Sequence, residues 1–496
     1  MLRLIDADPA SRPLFDTAAT RRIERAALAR VPPGTLVRRA GLAVAKLALA
    51  LHPHARRVWI AAGPGNNGAD GLEAAARLQA AGLQAHVHLV AERARLGHDA
   101  GEALARALAA GVDVTDGAPA ERPACDLAID ALLGLGLSRA PEGALAQAIA
   151  AFNRVAAPRL AVDLPSGLDA DRGVAPGAAV VATDTVTMLT LKPGLFTAYG
   201  RDLAGRVWLA DLDEPDVAEP PTAWLTGGDG PAPPRRHAQH KGSFGDVVVV
   251  GGAPGMVGAA WLAARAALAA GAGRVYVSLL DAAAPHWHAA HPELMGRERV
   301  WTEHVPLLRA ATVVCGCGGG DAVRAALPTL LGAAPRLVLD ADALNAIAAD
   351  ASLRSLLRAR RDRGAATVLT PHPLEAGRLL GRGAADVQAD RLAAAQALAD
   401  AEGAVVVLKG SGTVTAAPAC PPWVNRSGNA ALATAGTGDV LAGWLGGCWA
   451  AQGAPDFAAL QRQCADVVAR HGRAADRHGS GTALRAGMLV EAMLDA

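Results

Sequence analysis

Short apolar runs of strand length alternate with alanine-rich stretches of helical period along almost the whole chain, and the alternation occurs twice. In the first half the runs are Val58-Trp59-Ile60-Ala61, 85–90, Leu127-Ala128-Ile129-Asp130, Leu160-Ala161-Val162-Asp163, 186–191 and Val207-Trp208-Leu209. In the second they are Val247-Val248-Val249-Val250, Val275-Tyr276-Val277, Val313-Val314, Leu337-Val338-Leu339, Val368-Leu369 and Val405-Val406-Val407-Leu408, with helices from Thr437 onward. Strands separated by helices of this length lie parallel with helices on both faces, and ligands collect at their carboxyl ends. A chain of 496 residues is too long for one ordinary domain. The Pro-rich segment 213–235 is the expected linker between domains at 1–212 and 236–496. Residues 1–55 read as a helical preface without strands, broken at Pro32-Pro33-Gly34. The halves share no motif, so two different α/β domains are expected.

A net charge of +1, from 48 basic and 47 acidic residues, with no basic block and few aromatics, argues against nucleic acid as a partner. Six scattered cysteines, with only Cys315 and Cys317 close together, fit the incidental thiols of a reducing cytosol better than a metal site. No stretch of signal-peptide or membrane-spanning character is read, so a cytoplasmic protein with a small-molecule ligand is expected. Only four of the basic residues are lysine, and only six residues are asparagine. Such scarcity makes each one a candidate for a site that needs a compact ammonium or a carboxamide. Lys192, Lys241 and Lys409, with Asn66, Asn67, Asn345 and Asn429, all fall inside motifs.

The sharpest motif is Gly436-Thr437-Gly438-Asp439, a glycine turn running into an apolar helix pattern. Backbone N–H groups and the helix dipole converge there on one spot suited to a phosphoryl group. Asp439 is placed to take a proton from a hydroxyl, although an Asp in such a turn can also be a plain N-cap. Other motifs converge on the same sheet edge: Lys241-Gly-Ser-Phe-Gly245, 316–320, Asp340-Ala-Asp-Ala-Leu-Asn345, Thr370-Pro-His-Pro373 and Lys409-Gly410-Ser411-Gly412-Thr413. Taken singly, His372 also reads as a structural turn residue, Lys409 as a solvated strand-end lysine, and Asp340 and Asp342 as helix caps. No Gly-Lys dipeptide occurs, which excludes a Walker A site.

This ensemble, over residues 235 to 490, resembles the ribokinase-like superfamily and within it the ADP- or ATP-dependent NAD(P)H-hydrate dehydratases. The resemblance implies that Lys409, Gly410, Ser411, Gly412, Thr413 and Gly438 bind the adenine nucleotide with Mg2+. It places Ala259, Gly318, His372 and Asp439 at the hydrated nicotinamide, with Asp439 catalytic. Cys317 and Gly319 depart from the family, which usually has Pro and Leu there, and Leu432 to Gly436 depart from its Met-Ala-Thr-Gly-Gly.

In the first half, Gly63-Pro64-Gly65-Asn66-Asn67-Gly68-Ala69-Asp70-Gly71 follows the first strand and is expected to start a helix at Leu72. Its glycines allow close backbone approach to a phosphate, and its two carboxamides could ligate a cation or another ligand. Later strands end at Asp130, at Asp163-Leu-Pro-Ser166-Gly-Leu-Asp169 and at Lys192-Pro-Gly194. The set, over about residues 15 to 210, resembles the NAD(P)H-hydrate epimerase domain that is fused to the dehydratase in bifunctional repair enzymes.

That resemblance implies a Rossmann-like three-layer fold. It assigns Asn66, Asn67, Gly68, Ala69, Asp70, Gly134, Leu135, Gly136, Leu137, Ser138, Arg139, Ala140 and Asp163 to the hydrate, and Asn67, Asp130 and Ser166 to a potassium ion. Asp163 and Lys192 are the expected acid/base pair. Asp163 could instead be a strand-end cap, Lys192 a structural lysine and Asp169 a turn residue. Ala69 stands where the family has glycine, so it is expected outside the positive-φ region. A homo-oligomer acting on hydrated NADH and NADPH (NADHX and NADPHX) is the resulting expectation. The alternatives are a kinase for a thiazole or pyrimidine alcohol, and a first half that only binds.

Overall fold

The computed structural model describes all residues except 6–9, 122, 138, 215–217 and 229–234. The chain divides into two compact units, Met1–Leu225 and Thr226–Ala496.

In the first unit eight strands form one sheet in the order Leu2–Leu4, Arg206–Ala210, Asp184–Met188, Arg159–Val162, Leu127–Ala131, Arg57–Ala62, Gln84–Leu89, Asp113–Asp116. All pairs are parallel except the one made by the edge strand Leu2–Leu4. The central strand explains the layering. Val58, Ile60 and Ala62 join one core with residues of the helices Thr35–Leu51, Asn66–Ala80 and His98–Ala109, while Trp59 and Ala61 join a second with Gly143–Asn153. Alternate side chains point to opposite faces, so a strand apolar on both must be covered twice.

The second unit orders its strands as Met295–Gly296, Arg274–Leu279, Asp246–Gly251, Thr312–Cys315, Arg336–Leu339, Ala366–Leu369, Val405–Leu408, Val414–Ala417, Cys420–Val424. The first seven are parallel and the last two form an antiparallel meander. Here too Val247 and Val249 face one core, with the helices Val257–Ala269 and Thr437–Gln452, while Val248 and Val250 face the other. Both units are thus α/β, Rossmann-like in the first and ribokinase-like in the second, as expected.

Four local expectations need correction. Residues 1–55 do contain strands, since Leu2–Leu4 pairs with Arg206–Ala210 and Arg12–Leu14 pairs with Ala223–Leu225. Three residues are too few for a period to register. The meander Val414–Ala417 and Cys420–Val424 and the edge strand Asp113–Asp116 also go unmarked in the apolar pattern. The run 186–191 stops as a strand at Met188, because Leu189 takes φ of 61°. Finally, the helix of the first glycine loop begins at Asn66, ahead of Leu72. Asn-Asn-Gly has poor helix propensity, but Gly65 is already extended as N-cap, so the turn is complete before the asparagines.

Candidate active sites

At the carboxyl edge of the first sheet, the strand Arg57–Ala62 turns through Gly63 into the helix Asn66–Ala80. The turn is closed by contact. A Cβ on Gly63 would lie 1.8 Å from the Leu132 carbonyl oxygen, and one on Gly68 would lie 1.9 Å from that of Gly63. This packing carries Asn66, Asn67 and Asp70 onto the wall of a cleft of about 330 Å3, which Gly134, Leu135, Gly136, Asp163 and Lys192 also line. Gly68 and Ala69 turn inward instead, with Ala69 helical and fully buried in the core. Leu137, Arg139 and Ala140 are not on the described lining, and Ser138 lies outside the described residues.

Asp163 stands at the cleft with φ of 64°, a left-handed conformation that costs a non-glycine residue energy and that Asp tolerates better than most. Its Oδ1 accepts from Lys192 Nζ at 2.6 Å, from the Met188 N–H at 3.2 Å and from Thr187 Oγ1 at 3.3 Å. Lys192 is buried, and its ammonium also donates to Thr187 Oγ1 at 2.9 Å and the Met188 carbonyl at 2.8 Å. All three of its protons are therefore engaged. The other oxygen, Oδ2, lies by Gly134, where a Cβ would be 3.2 Å from it and 3.4 Å from Asn67 Oδ1. Burial, then the neighbouring Asp163, push the Asp70 carboxyl well above the usual carboxylate range.

Asp130 is fully buried and accepts from the Ser166 N–H at 2.7 Å, the Ser166 hydroxyl at 2.6 Å and the Leu132 N–H at 3.2 Å. Burial raises its carboxyl to about 6. Asn67 is buried too, yet both its amide oxygen and its amide nitrogen lack a hydrogen-bond partner. A buried unpaired carboxamide is costly, and such an orphan marks a place for a missing partner. Amide, carboxylate and hydroxyl oxygens are the donor set of a hard cation.

In the second unit Gly436, with φ of 92°, is the N-cap of the helix Thr437–Gln452. Asp439 lies in the first turn of that helix, and no side chain caps it, so Asp439 is not the N-cap that its turn allowed. First-turn N–H groups have no intrahelical acceptor and face the space before the helix. Burial and the repulsion of Asp340 raise the Asp439 carboxyl to about 6, while the Cys317 thiol, placed to donate to it, acts in the opposite sense. The Cys317 sulfur and oxygens of Asp340 and Asp439 all lie within 4.8 Å of one another.

Asp340 occupies an N-cap position without capping. Its Oδ1 instead accepts from Lys409 Nζ and from Thr370 Oγ1, each at 2.7 Å. The ammonium of Lys409 thus sits beside the glycine turn, 3.5 Å from where a Cβ on Gly438 would be. The rest of its motif, Gly410 to Thr413, is the turn between the strands Val405–Leu408 and Val414–Ala417, where Thr413 Oγ1 donates to the Gly410 carbonyl at 3.0 Å. Asp342 accepts from the Gly320 N–H at 2.8 Å. Gly318, at φ of 57°, is brought against Ala259, whose Cβ lies 2.9 Å from where one on the glycine would be.

His372 uses both ring nitrogens. Nδ1 accepts from the N–H groups of Leu374 and Glu375 as the N-cap of the helix Pro373–Leu380, and Nε2 lies 3.2 Å from Glu375 Oε1. Burial and Lys409 lower its proton affinity, which favours the neutral ring. Thr187 and His471 carry parts of these networks from outside every motif, and Thr370, Cys317 and Glu375 lie within or beside motifs that give them no role of their own. A threonine in a strand or a buried cysteine has no sequence signature of its own.

Two α/β units, each holding an ionisable cluster at the carboxyl edge of its sheet, define a two-part enzyme for small molecules. The NAD(P)H-hydrate dehydratase family profile matches residues 247–494, and that of the YjeF-related protein N-terminus matches residues 33–194. The bifunctional NAD(P)H-hydrate repair enzyme Nnr of Escherichia coli (strain K12) is 37% identical over 458 residues, covering 89% of this chain and 84% of that protein. An ADP-dependent (S)-NAD(P)H-hydrate dehydratase of Neisseria meningitidis serogroup B is 44% identical over 262 residues, 52% of this chain and 84% of its own length. A solved ADP/ATP-dependent NAD(P)H-hydrate dehydratase from Bacillus subtilis aligns at 27% identity and a TM-score of 0.44, over 53% of this chain and 92% of that one. The chain belongs to the bifunctional NAD(P)H-hydrate repair enzyme family. Among the described residues, no helix is long and apolar enough to cross a membrane.

Proposed function

We propose that this chain repairs hydrated NADH and NADPH: residues 1–212 interconvert the R and S hydrates, and residues 236–496 dehydrate the S form at the expense of ADP or ATP. The observation that carries the proposal is Asp439, a carboxylate raised to about 6 at the open start of a helix and free of any capping duty. A base poised near neutral pH beside a phosphoryl-binding helix start suits hydroxyl phosphorylation.

Asp439 takes the ring hydroxyl proton while that oxygen attacks the terminal phosphorus of the nucleotide. The bridging P–O bond breaks and the shortened nucleotide leaves. The C–O bond then breaks with its electron pair on phosphate, a ring proton is lost, and the dihydropyridine returns. Lys409, oriented by Asp340, and the first-turn N–H groups are assigned to charge on the phosphates, with Gly410 to Thr413 and Gly438 as the remaining nucleotide contacts. Mg2+ would be held by the phosphates of that nucleotide and would offset their charge. Ala259, Gly318 and His372 are assigned to the nicotinamide, with the Nδ1 of His372 held as a helix cap.

In the first unit Asp163 Oδ2 is the assigned base, and Lys192 holds Oδ1 and with it the direction of the carboxylate. Asn67, Asp130 and Ser166 would hold a potassium ion, whose fixed positive charge would help anchor the hydrate. The unpartnered carboxamide of Asn67 supports this assignment. Asn66, Asp70 and Gly134 to Gly136 are the assigned substrate wall. The proposal includes a cytoplasmic homo-oligomer.

The test uses the full-length chain, a mixture of both epimers, and ADP or ATP. The parent should consume both epimers. Asp163→Asn should clear S and leave R to epimerise at the spontaneous rate, and Asp439→Asn should epimerise without dehydrating. Accumulation of a phosphorylated alcohol with no return of the dihydronicotinamide absorbance would favour the kinase alternative.

A further inference from the structure

Assigning Asp439 as the base leaves one buried group beside it without a part in the reaction. Cys317 follows the strand Thr312–Cys315, is fully buried, and lies in the core that also holds Val249, Val314 and Val440. Its backbone is held by the adjacent segment Gly252-Ala253. The Gly252 N–H donates to the Cys317 carbonyl at 3.0 Å, and that of Ala253 to the Gly318 carbonyl at 2.7 Å. The sulfur lies within 4.8 Å of carboxylate oxygens of both Asp340 and Asp439.

The two carboxylates are not equally provided for. Asp340 takes Lys409 and Thr370 as donors, whereas the donor side chain brought within 4.8 Å of Asp439, among the described residues of this cluster, is the Cys317 thiol. We propose that Cys317 is a positioning residue of the dehydratase, its S–H donating to the Asp439 carboxylate and holding that base at the helix start. The proposal rests on Asp439 being the base. Burial and the two carboxylates push the thiol well above its ordinary range, so it stays a protonated donor wherever the enzyme works. A donor on a carboxylate favours its ionised form, whereas Asp340, facing Asp439 from the start of the helix Ala341–Ala349, and Asp342, within that helix, disfavour it. Lys409, at the end of the strand Val405–Leu408, acts with the thiol.

The experiment is the pH profile of dehydration, from pH 5 to 8.5, for the full-length parent, Cys317→Ala and Cys317→Ser. Loss of the donor should move the acid limb of Cys317→Ala to higher pH, so that its rate at pH 5, as a fraction of its own plateau, falls about threefold below that of the parent. Cys317→Ser, which keeps a donor, should return most of the way. An acid limb of Cys317→Ala that coincides with the parent's overturns the proposal.

Infrared spectroscopy decides the matter even where Cys317→Ala does not fold. The S–H stretch of Cys317, identified by its loss in Cys317→Ser, should shift in Asp439→Asn, and an unmoved band overturns the proposal. If Asp439→Asn instead keeps parental turnover, the base assignment itself fails, an outcome recognisable without any Cys317 variant.

Discussion

Lys192 and Asp163 form a closed pair at the edge of the first sheet: the ammonium lies 2.6 Å from Oδ1, and its other protons go to Thr187 and the Met188 carbonyl. A lysine with no proton to spare serves better as an anchor than as a shuttling acid. The carboxylate it anchors is left with Oδ2 for chemistry.

Breaking this pair should be costly in a direction-dependent way. Lys192→Met leaves a nearly buried carboxylate without its partner, a loss on the order of 3–5 kcal/mol. Asp163→Asn keeps an oxygen acceptor and a residue type that tolerates positive φ, so it should unfold at a temperature between the parent and Lys192→Met while losing epimerisation. Thermal unfolding of the three proteins checks the order, and a Lys192→Met protein as stable as the parent contradicts it.

Potassium dependence should map onto Asp130. Asp130→Ala removes the carboxylate that Ser166 embraces, and should weaken potassium activation of epimerisation while leaving dehydration intact. A potassium titration that cannot tell the variant from the parent removes Asn67, Asp130 and Ser166 as the ligand set.

Dehydration should follow the ionisation of Asp439. Its carboxyl is raised to about 6, so the free base is lost as pH falls through that value, and the rate should drop about tenfold per unit well below it. Asp439→Asn should cost about two to four orders of magnitude in turnover, with nucleotide affinity little changed. The sign for stability is opposite. A carboxyl whose folded pKa exceeds its unfolded one stabilises the fold at low pH, and that contribution is lost as pH rises through about 6, so Asp439→Asn should flatten this part of the melting profile.

His471 supports the glycine turn at the start of the helix Thr437–Gln452, donating from Nε2 to the Thr437 carbonyl at 3.0 Å, and burial lowers its pKa to about 4. A depressed histidine contributes stability that is whole above its unfolded pKa and is lost as pH falls toward 4. His471→Leu should cost about 1–3 kcal/mol at neutral pH by stranding a carbonyl, and should remove part of the acid sensitivity. Melting temperatures at pH 7 and pH 5 for both proteins measure both effects.

Much of this arrangement is legible without coordinates. The repeated alternation of apolar runs with helical stretches suffices for two parallel α/β units, because the central strands of each, such as those at Val58 and Val247, are apolar on both faces and must be covered twice. Lys192, Lys409, Asp163 and Asp439 stand out because each closes a strand or opens a helix within a glycine-rich turn. Only the tertiary structure separates their tasks. Lys409 meets Asp340 from the second strand over, past the intervening strand Ala366–Leu369 and 69 residues on in sequence, and Asp340 takes that ammonium in preference to the cap its position offered. His372 caps a helix with one nitrogen and comes within 3.2 Å of Glu375 with the other, and Cys317, after the strand Thr312–Cys315, lies near Asp439 of the helix Thr437–Gln452. Sequence determined the edge at which these groups gather, since strand direction and helix starts follow from local pattern. Which proton, oxygen or sulfur meets which was decided by packing between strands distant in sequence, where a displacement of an ångström makes or removes a hydrogen bond.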